Sequence, residues 1–351
     1  MYALARAALF ALNAEAAHRL TLAGLRAAHR VGMLRLLGTV PPAPPVELMG
    51  LSFANRIGLA AGFDKNAACV DAMGALGFGF IEVGTLTPKG QPGNPKPRVF
   101  RLPKVRAVIN RMGFPNDGVA AAIGHLRKRC YPGVCGVNIG KNAATPLEEA
   151  TGDYVTALQA VYEYADYVAI NISSPNTQGL RQLQQGEQLR PLLLALLATR
   201  AELAERIGWR VPLVVKLSPD LSTDELADTA QVIRELSLDG VIATNTTLDR
   251  AAVAGLRHAQ RPGGLSGEPL RARALAVVRQ LRALLGPEMP LIGVGGISSA
   301  ADAAAMLGAG ADLIQIYTGL IYRGPGLVRE LVAADHLARQ QGRPPARHNQ
   351  S

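Results

Sequence analysis

Eight short apolar runs, separated by helix-like segments, constrain this chain more than any other feature of its sequence. They are Ile57–Ala61, Phe80–Gly84, Val134–Ile139, Asp166–Ile172, Pro212–Leu217, Gly240–Thr244, Pro290–Val294 and Asp312–Tyr317. Between them, apolar positions recur at helical spacing over Asn66–Leu76, Tyr154–Tyr164, Thr223–Leu236, Leu270–Leu285 and Ala300–Leu307, with a last helix over Leu327–Ala338. Strands that alternate with helices form βαβ units and a parallel sheet. Eight units predict an α/β fold closed into a (β/α)8 TIM barrel, with a doubly wound open sheet as the alternative. The insertion at 85–133 contains Arg98–Arg101 and Val105–Ile109, two segments suited to pair as a hairpin.

The ends of the chain follow other rules. Leu4, Ala8, Leu12 and Ala16 fall on one helical line, and Leu22, Leu25, Val31, Leu34 and Leu36 continue an apolar stripe after Thr21, a candidate N-cap. Pro41-Pro42-Ala43-Pro44-Pro45 forbids helix and reads as a stiff linker. The expected division is a helical extension over 1–40, a linker over 41–45, a barrel over 46–340 and a disordered tail over 341–351. The net charge of +10 lies mostly in these ends: Arg6, Arg19, Arg26, Arg30 and Arg35 face only Glu15 before the linker, and Arg339, Arg343 and Arg347 have no acidic neighbour after His336. A nucleic-acid partner therefore has no basic body to grip. No run of 18 apolar residues is present, and Arg6, Asn13, Glu15 and His18 interrupt what would be the core of a signal peptide. Cys69, Cys130 and Cys135 form no paired framework, which points to a reducing compartment.

In such a barrel the functional groups gather where the strands end. The first run ends in Ala61-Gly62-Phe63-Asp64-Lys65-Asn66 and the second at Gly84-Thr85. The third ends with Asn138, the fifth with Lys216 and the sixth with Thr244-Asn245-Thr246-Thr247. The fourth leads into Asn171-Ile172-Ser173-Ser174-Pro175-Asn176-Thr177, too polar to continue a core strand and rich in neutral donors and acceptors. That segment suits a small, amide-rich ring. Gly263-Gly264-Leu265-Ser266-Gly267 and Gly295-Gly296-Ile297-Ser298 each precede a helix, and glycine backbone N–H groups can approach an anion there, which predicts a cofactor phosphate. Lys216 closes the apolar strand Leu213-Val214-Val215 and, if it points inward, needs a negative partner; a solvent-facing lysine is the alternative. No histidine stands at a strand end and no metal-ligand set is present, which argues against a Ser-His-Asp hydrolase and against metal catalysis. Redox chemistry on a phosphate-bearing flavin fits what remains.

Five motifs carry a family resemblance. Ala61-Gly62-Phe63-Asp64-Lys65-Asn66, Asn110-Arg111-Met112-Gly113-Phe114, Asn171 to Thr177, Gly264-Leu265-Ser266-Gly267 and Gly293-Val294-Gly295-Gly296-Ile297 together closely resemble the quinone-dependent, class 2 dihydroorotate dehydrogenases. The resemblance implies an FMN enzyme of pyrimidine biosynthesis that oxidises (S)-dihydroorotate to orotate, with a membrane quinone as second oxidant and no obligate iron-sulfur subunit. It assigns Ser174 as the base at C5, with hydride leaving C6 for flavin N5. Lys65, Asn110, Asn171, Asn176, Asn245 and Thr246 would hold the substrate, and the backbone of Asn110, Arg111, Met112, Gly113 and Phe114 would close around it. FMN would contact Ala61, Gly62, Phe63, Asp64, Lys65, Thr85, Asn138, Asn171, Lys216 and Thr244, with its phosphate on Gly267, Gly296, Tyr317 and Thr318.

Serine at the base position marks class 2, since the soluble class 1 enzymes resemble this chain but carry cysteine there. The amphipathic residues 1–40 point the same way, as a peripheral membrane anchor with quinone entering between the helices; packing on the barrel exterior is the plainer alternative. A free serine is a poor base, so a relay by Thr177 through water, with Phe114 shaping a dry site, is expected to assist it. Two other readings are a dihydrouridine synthase, which would need a basic body and a catalytic cysteine, and a non-catalytic membrane flavin carrier. The short N-terminus suggests a bacterial enzyme on the cytoplasmic face of the inner membrane.

Overall fold

The computed structural model describes residues 2–37, 40 and 43–341. Most of the proposed tail, 342–351, and Pro41 and Pro42 of the linker lie outside the described residues. Two helices, α1 (Tyr2–Ala11) and α2 (Ala14–Arg30), precede a hairpin of β1 (Val46–Leu48) and β2 (Leu51–Phe53). The strands that follow are β3 (Ile57–Leu59), β4 (Phe80–Leu86), β5 (Val99–Leu102), β6 (Ala107–Asn110), β7 (Val134–Ile139), β8 (Tyr167–Asn171), β9 (Leu213–Leu217), β10 (Gly240–Ala243), β11 (Gly264–Gly267), β12 (Leu291–Val294) and β13 (Leu313–Ile316).

Eight of them close a parallel barrel in the order β3-β4-β7-β8-β9-β10-β12-β13, with β13 returning to β3. These are the eight apolar runs. Each strand is buried along its whole length, because helices cover the outside and side chains fill the inside. Phe53 plugs the bottom of the barrel edge-on against Phe80, ring centroids 5.3 Å apart.

Two expectations need correction and a third is borne out and extended. The first is the helix expected over Asn66–Leu76, which is helical only over Val70–Gly74. Upstream, the Asp64 carboxylate accepts backbone N–H groups of Asn66, Ala68 and Cys69, which holds a loop in place of a first turn. The second is the N-cap: Asn13 caps α2 by accepting from the Glu15 N–H at 3.0 Å, while Thr21 lies inside the helix and donates to the Ala17 carbonyl. The third is the hairpin, which forms as β5–β6 but gains β11 on the other side of β6. The Gly264–Gly267 segment is therefore a strand that draws the insertion across the barrel mouth, as well as a lead-in to the helix at Arg271–Leu285.

Candidate active site

The upper ends of the strands surround a cavity of about 520 Å³ that runs from the barrel mouth out between α1 and α2. At its inner end, Asn171 is the hub of a polar network. Its Nδ2 donates to Thr85 Oγ1 (2.9 Å) and Asn138 Oδ1 (3.2 Å), and its Oδ1 accepts from Asn245 Nδ2 (3.3 Å). Asn176 Nδ2 donates to Asn110 Oδ1 at 3.1 Å, which joins the loop after β8 to the loop after β6. Ser174 is buried, and its Oγ accepts the Asn176 N–H at 3.3 Å. Among the described residues, Asn176 Oδ1 and Thr177 Oγ1 are buried with no hydrogen-bond partner. Buried orphan acceptors and hydroxyls are costly, so this network is incomplete without something polar beside it.

Lys65 Nζ reaches the Gly62 carbonyl (2.6 Å), which also accepts from Tyr317 Oη (3.2 Å). Burial draws Lys65 down to about 8; Asp64 and Glu15 raise it and Arg98 lowers it. Burial raises the Asp64 carboxyl, while its three backbone N–H donors oppose that shift. Lys65, Arg101 and Lys216 line the cavity with one carboxylate, Glu15. A buried carboxylate, Glu82, neutralises Lys216 and Arg98 pairs with Glu15, which leaves Lys65 and Arg101 to favour an anionic ligand. At the far side, Gly267 and Gly296 hold left-handed φ values of 99° and 72°, and a Cβ on either would strike backbone within 3 Å. Ser266 Oγ and Thr318 Oγ1 lie 2.8 Å apart beside them.

Most of the candidate residues line this one cavity, including Ala61, Phe63, Met112, Gly113, Thr244 and Thr246. Four do not. Asp64 lies beneath the Lys65 loop, and Asn138 sits behind Thr85, whose Oγ1 donates to it at 2.5 Å. The Arg111 side chain turns outward to the Pro97 carbonyl. Thr177 is buried beside the cavity, off its wall. Phe114, with a strained left-handed φ of 51°, brings its ring against Gly140.

One residue escaped the sequence reading. Glu82, fully buried inside the barrel, accepts from Lys216 Nζ (3.3 Å), Asn138 Nδ2 (2.9 Å), Tyr167 Oη (3.0 Å) and Gln315 Nε2 (2.7 Å). This carboxylate is the negative partner that Lys216 requires. A lone acid inside Phe80-Ile81-Glu82-Val83 was the available signal.

The outer end of the cavity is apolar, lined by Leu9, Phe10, Ala17 and Leu25. His18 stands at the junction, edge-on to Phe63 at 5.3 Å, and burial, with Lys65 nearby, draws it down to about 3. Among the described residues no helix is long and apolar enough to cross a membrane.

The dihydroorotate dehydrogenase family profile matches residues 45–335. The chain is 54% identical over 334 residues to a dihydroorotate dehydrogenase (quinone) of a Marinomonas species, covering 95% of this chain and 96% of that protein. It is 54% identical over 343 residues to the one from Burkholderia thailandensis, covering 98% and 99%. A crystal structure of the Eimeria tenella DHODH in complex with ferulenol superposes with a TM-score of 0.84 at 37% identity, covering 95% of this chain and 93% of that one. Barrel, mouth and matches agree, and the chain belongs to the dihydroorotate dehydrogenase family, in its quinone-dependent class 2 branch.

Proposed function

We propose that this protein oxidises (S)-dihydroorotate to orotate on bound FMN and passes the electrons to a membrane quinone, in pyrimidine biosynthesis. The observation that carries the reading is the meeting, in one cavity, of four asparagine amides (Asn110, Asn171, Asn176, Asn245) with Ser174, Lys65 and Lys216. The orphan Asn176 Oδ1 fits a ring N–H, and Lys65 fits the substrate carboxylate. The residues also fit FMN. Lys216, neutralised by Glu82, would face the ring, and the backbone at Gly267 and Gly296 with the Thr318 hydroxyl would hold the phosphate. Bound FMN supplies the hydride acceptor for C6.

The chain's own residues then handle binding and the C5 proton. The asparagines orient the ring so that C5 faces Ser174 Oγ, which takes the proton. As Ser174 takes it, the serine gives its own hydroxyl proton to Thr177, whose hydroxyl has no partner among the described residues and passes a proton on to water, while the Phe114 ring limits access of bulk solvent. The apolar outer cavity between α1 and α2 suits a quinone tail. Exposed Leu4, Leu12, Leu20, Val31, Met33 and Leu36 support peripheral seating on the cytoplasmic face of a bacterial inner membrane.

The test is to mix the purified yellow protein with dihydroorotate without oxygen. Rapid bleaching of the flavin is expected; a flavin that stays oxidised would sink the reading.

A further inference from the structure

Glu15 lies in the first turn of α2 and is tied to the asparagines of the inner cavity by three consecutive sets of hydrogen bonds. Its Oε1 accepts from Arg98 Nε (3.1 Å) and Nη2 (2.9 Å), and the two side chains are only 13% and 7% exposed. Arg98 Nη1 donates to the carbonyls of Pro92 (2.6 Å) and Asn94 (2.8 Å). Asn94 then bridges both loops of the substrate pocket: its N–H donates to Met112 O (2.9 Å), and its Nδ2 to Arg111 O (3.0 Å) and Asn176 O (3.0 Å). From the same turn, Gln91 Nε2 donates to the carbonyls of Gly113 and Phe114.

We propose that the Glu15–Arg98 pair couples the seating of α2 to the shape of the dihydroorotate pocket, with Arg98 as the positioning residue. The proposal rests on the functional reading above. A surface ion pair would carry no such role, because water would replace either partner. Here both partners are nearly dry, so losing Glu15 leaves an uncompensated buried guanidinium. Relief lies in Arg98 swinging toward water, and the Pro92 and Asn94 carbonyls it holds must then find other donors or move with it. Asn94 is the only side chain among the described residues that hydrogen-bonds the backbone of both pocket loops, so its displacement loosens Arg111–Met112 and Asn176 together. The same charges reach Lys65, which Glu15 raises and Arg98 lowers against the larger effect of burial.

The two states are α2 docked and α2 displaced. Coupling between sites is reciprocal, so a ligand in the pocket must tighten the docking of α2 as much as docking tightens the ligand.

The experiment uses the flavin-loaded full chain, wild type and Glu15→Gln. Anaerobic stopped-flow gives the dihydroorotate Kd and the limiting rate of flavin reduction, and hydrogen exchange with and without orotate reports on residues 14–30. In Glu15→Gln the Kd is expected to rise ~10-fold, within the 5–150-fold typical of intersite coupling, with the limiting rate nearly unchanged. Orotate is expected to slow exchange across α2 in the wild type and to lose that effect in the variant. A variant with wild-type Kd and wild-type orotate protection overturns the proposal, since a merely structural pair would move neither. If the variant does not fold, orotate-insensitive exchange in the wild-type helix overturns it equally. A wild type that dihydroorotate does not bleach overturns the functional reading, and this proposal with it.

Discussion

Every residue of the eight barrel strands is buried, whereas α1 has no buried residue and α2 buries only Ala17. The strands are rich in valine and isoleucine and the helices in alanine and leucine, so both regions carry ample apolar side chains. Barrel strands are enclosed on two faces by their own chain. The helices lie on one side of the body, held by a few polar staples: Tyr2 Oη to Ile321 O (2.6 Å), Arg6 to Tyr322 O (2.7 Å), Arg101 to Leu9 O (3.1 Å), and the Glu15–Arg98 pair. One region owes its order to its interior. The other keeps Leu4, Leu20 and Leu36 exposed, an apolar surface that a bilayer would cover in the proposed reading.

The largest effects should separate the two regions cleanly. Ser174→Ala, in the barrel mouth, is expected to slow flavin reduction by dihydroorotate ~10²–10⁴-fold, the usual share of a general base, while FMN stays bound. Loss of FMN would make Ser174 a structural residue. Removing residues 1–40 should abolish quinone turnover and spare flavin reduction at saturating dihydroorotate; unchanged quinone turnover would break the division of labour.

A smaller effect probes the barrel interior. Glu82→Gln strands Lys216 in a dry core, which should lower stability toward denaturant by ~3–5 kcal/mol, as for other broken buried pairs. A change below ~1 kcal/mol, the value of an exposed pair, would show that water reaches this floor.

The smallest effect concerns the helices. His18 is held near 3 in the folded protein, against 6.5 for the free side chain. Its folded value is depressed, so the stability of the docked helix is complete above about pH 6.5 and is lost as pH falls below it. The loss should be ~1.4 kcal/mol per pH unit, or ~2 kcal/mol at pH 5. Hydrogen exchange at pH 7 and 5, corrected for intrinsic rates, should show residues 14–30 loosening before the barrel. Uniform loosening would contradict the two-region picture.

The barrel was legible from periodicity because a strand buried on both faces must be apolar throughout and can turn polar only at its end. The same rule placed most of the candidate residues around one mouth. The N-terminal break was less legible. Asn13 and Thr21 are both good caps, and the break falls at Asn13, where Arg101 binds the Leu9 and Leu12 carbonyls at the end of α1. Nor does Gly264-Leu265-Ser266-Gly267 look like a strand, since glycine is a poor strand former; it pairs because β6 offers a free edge.

Local spacing along the chain thus accounts for the strands, the polar strand ends and the amphipathic start, since each depends on neighbours a few residues away. The partnerships that set charge and position do not. Glu15 meets Arg98 across 83 residues, and Glu82 meets Lys216 across 134. Nothing in the local pattern of either residue names its partner, because a buried charge requires only an opposite charge in space, and closure of the barrel selects which one that is.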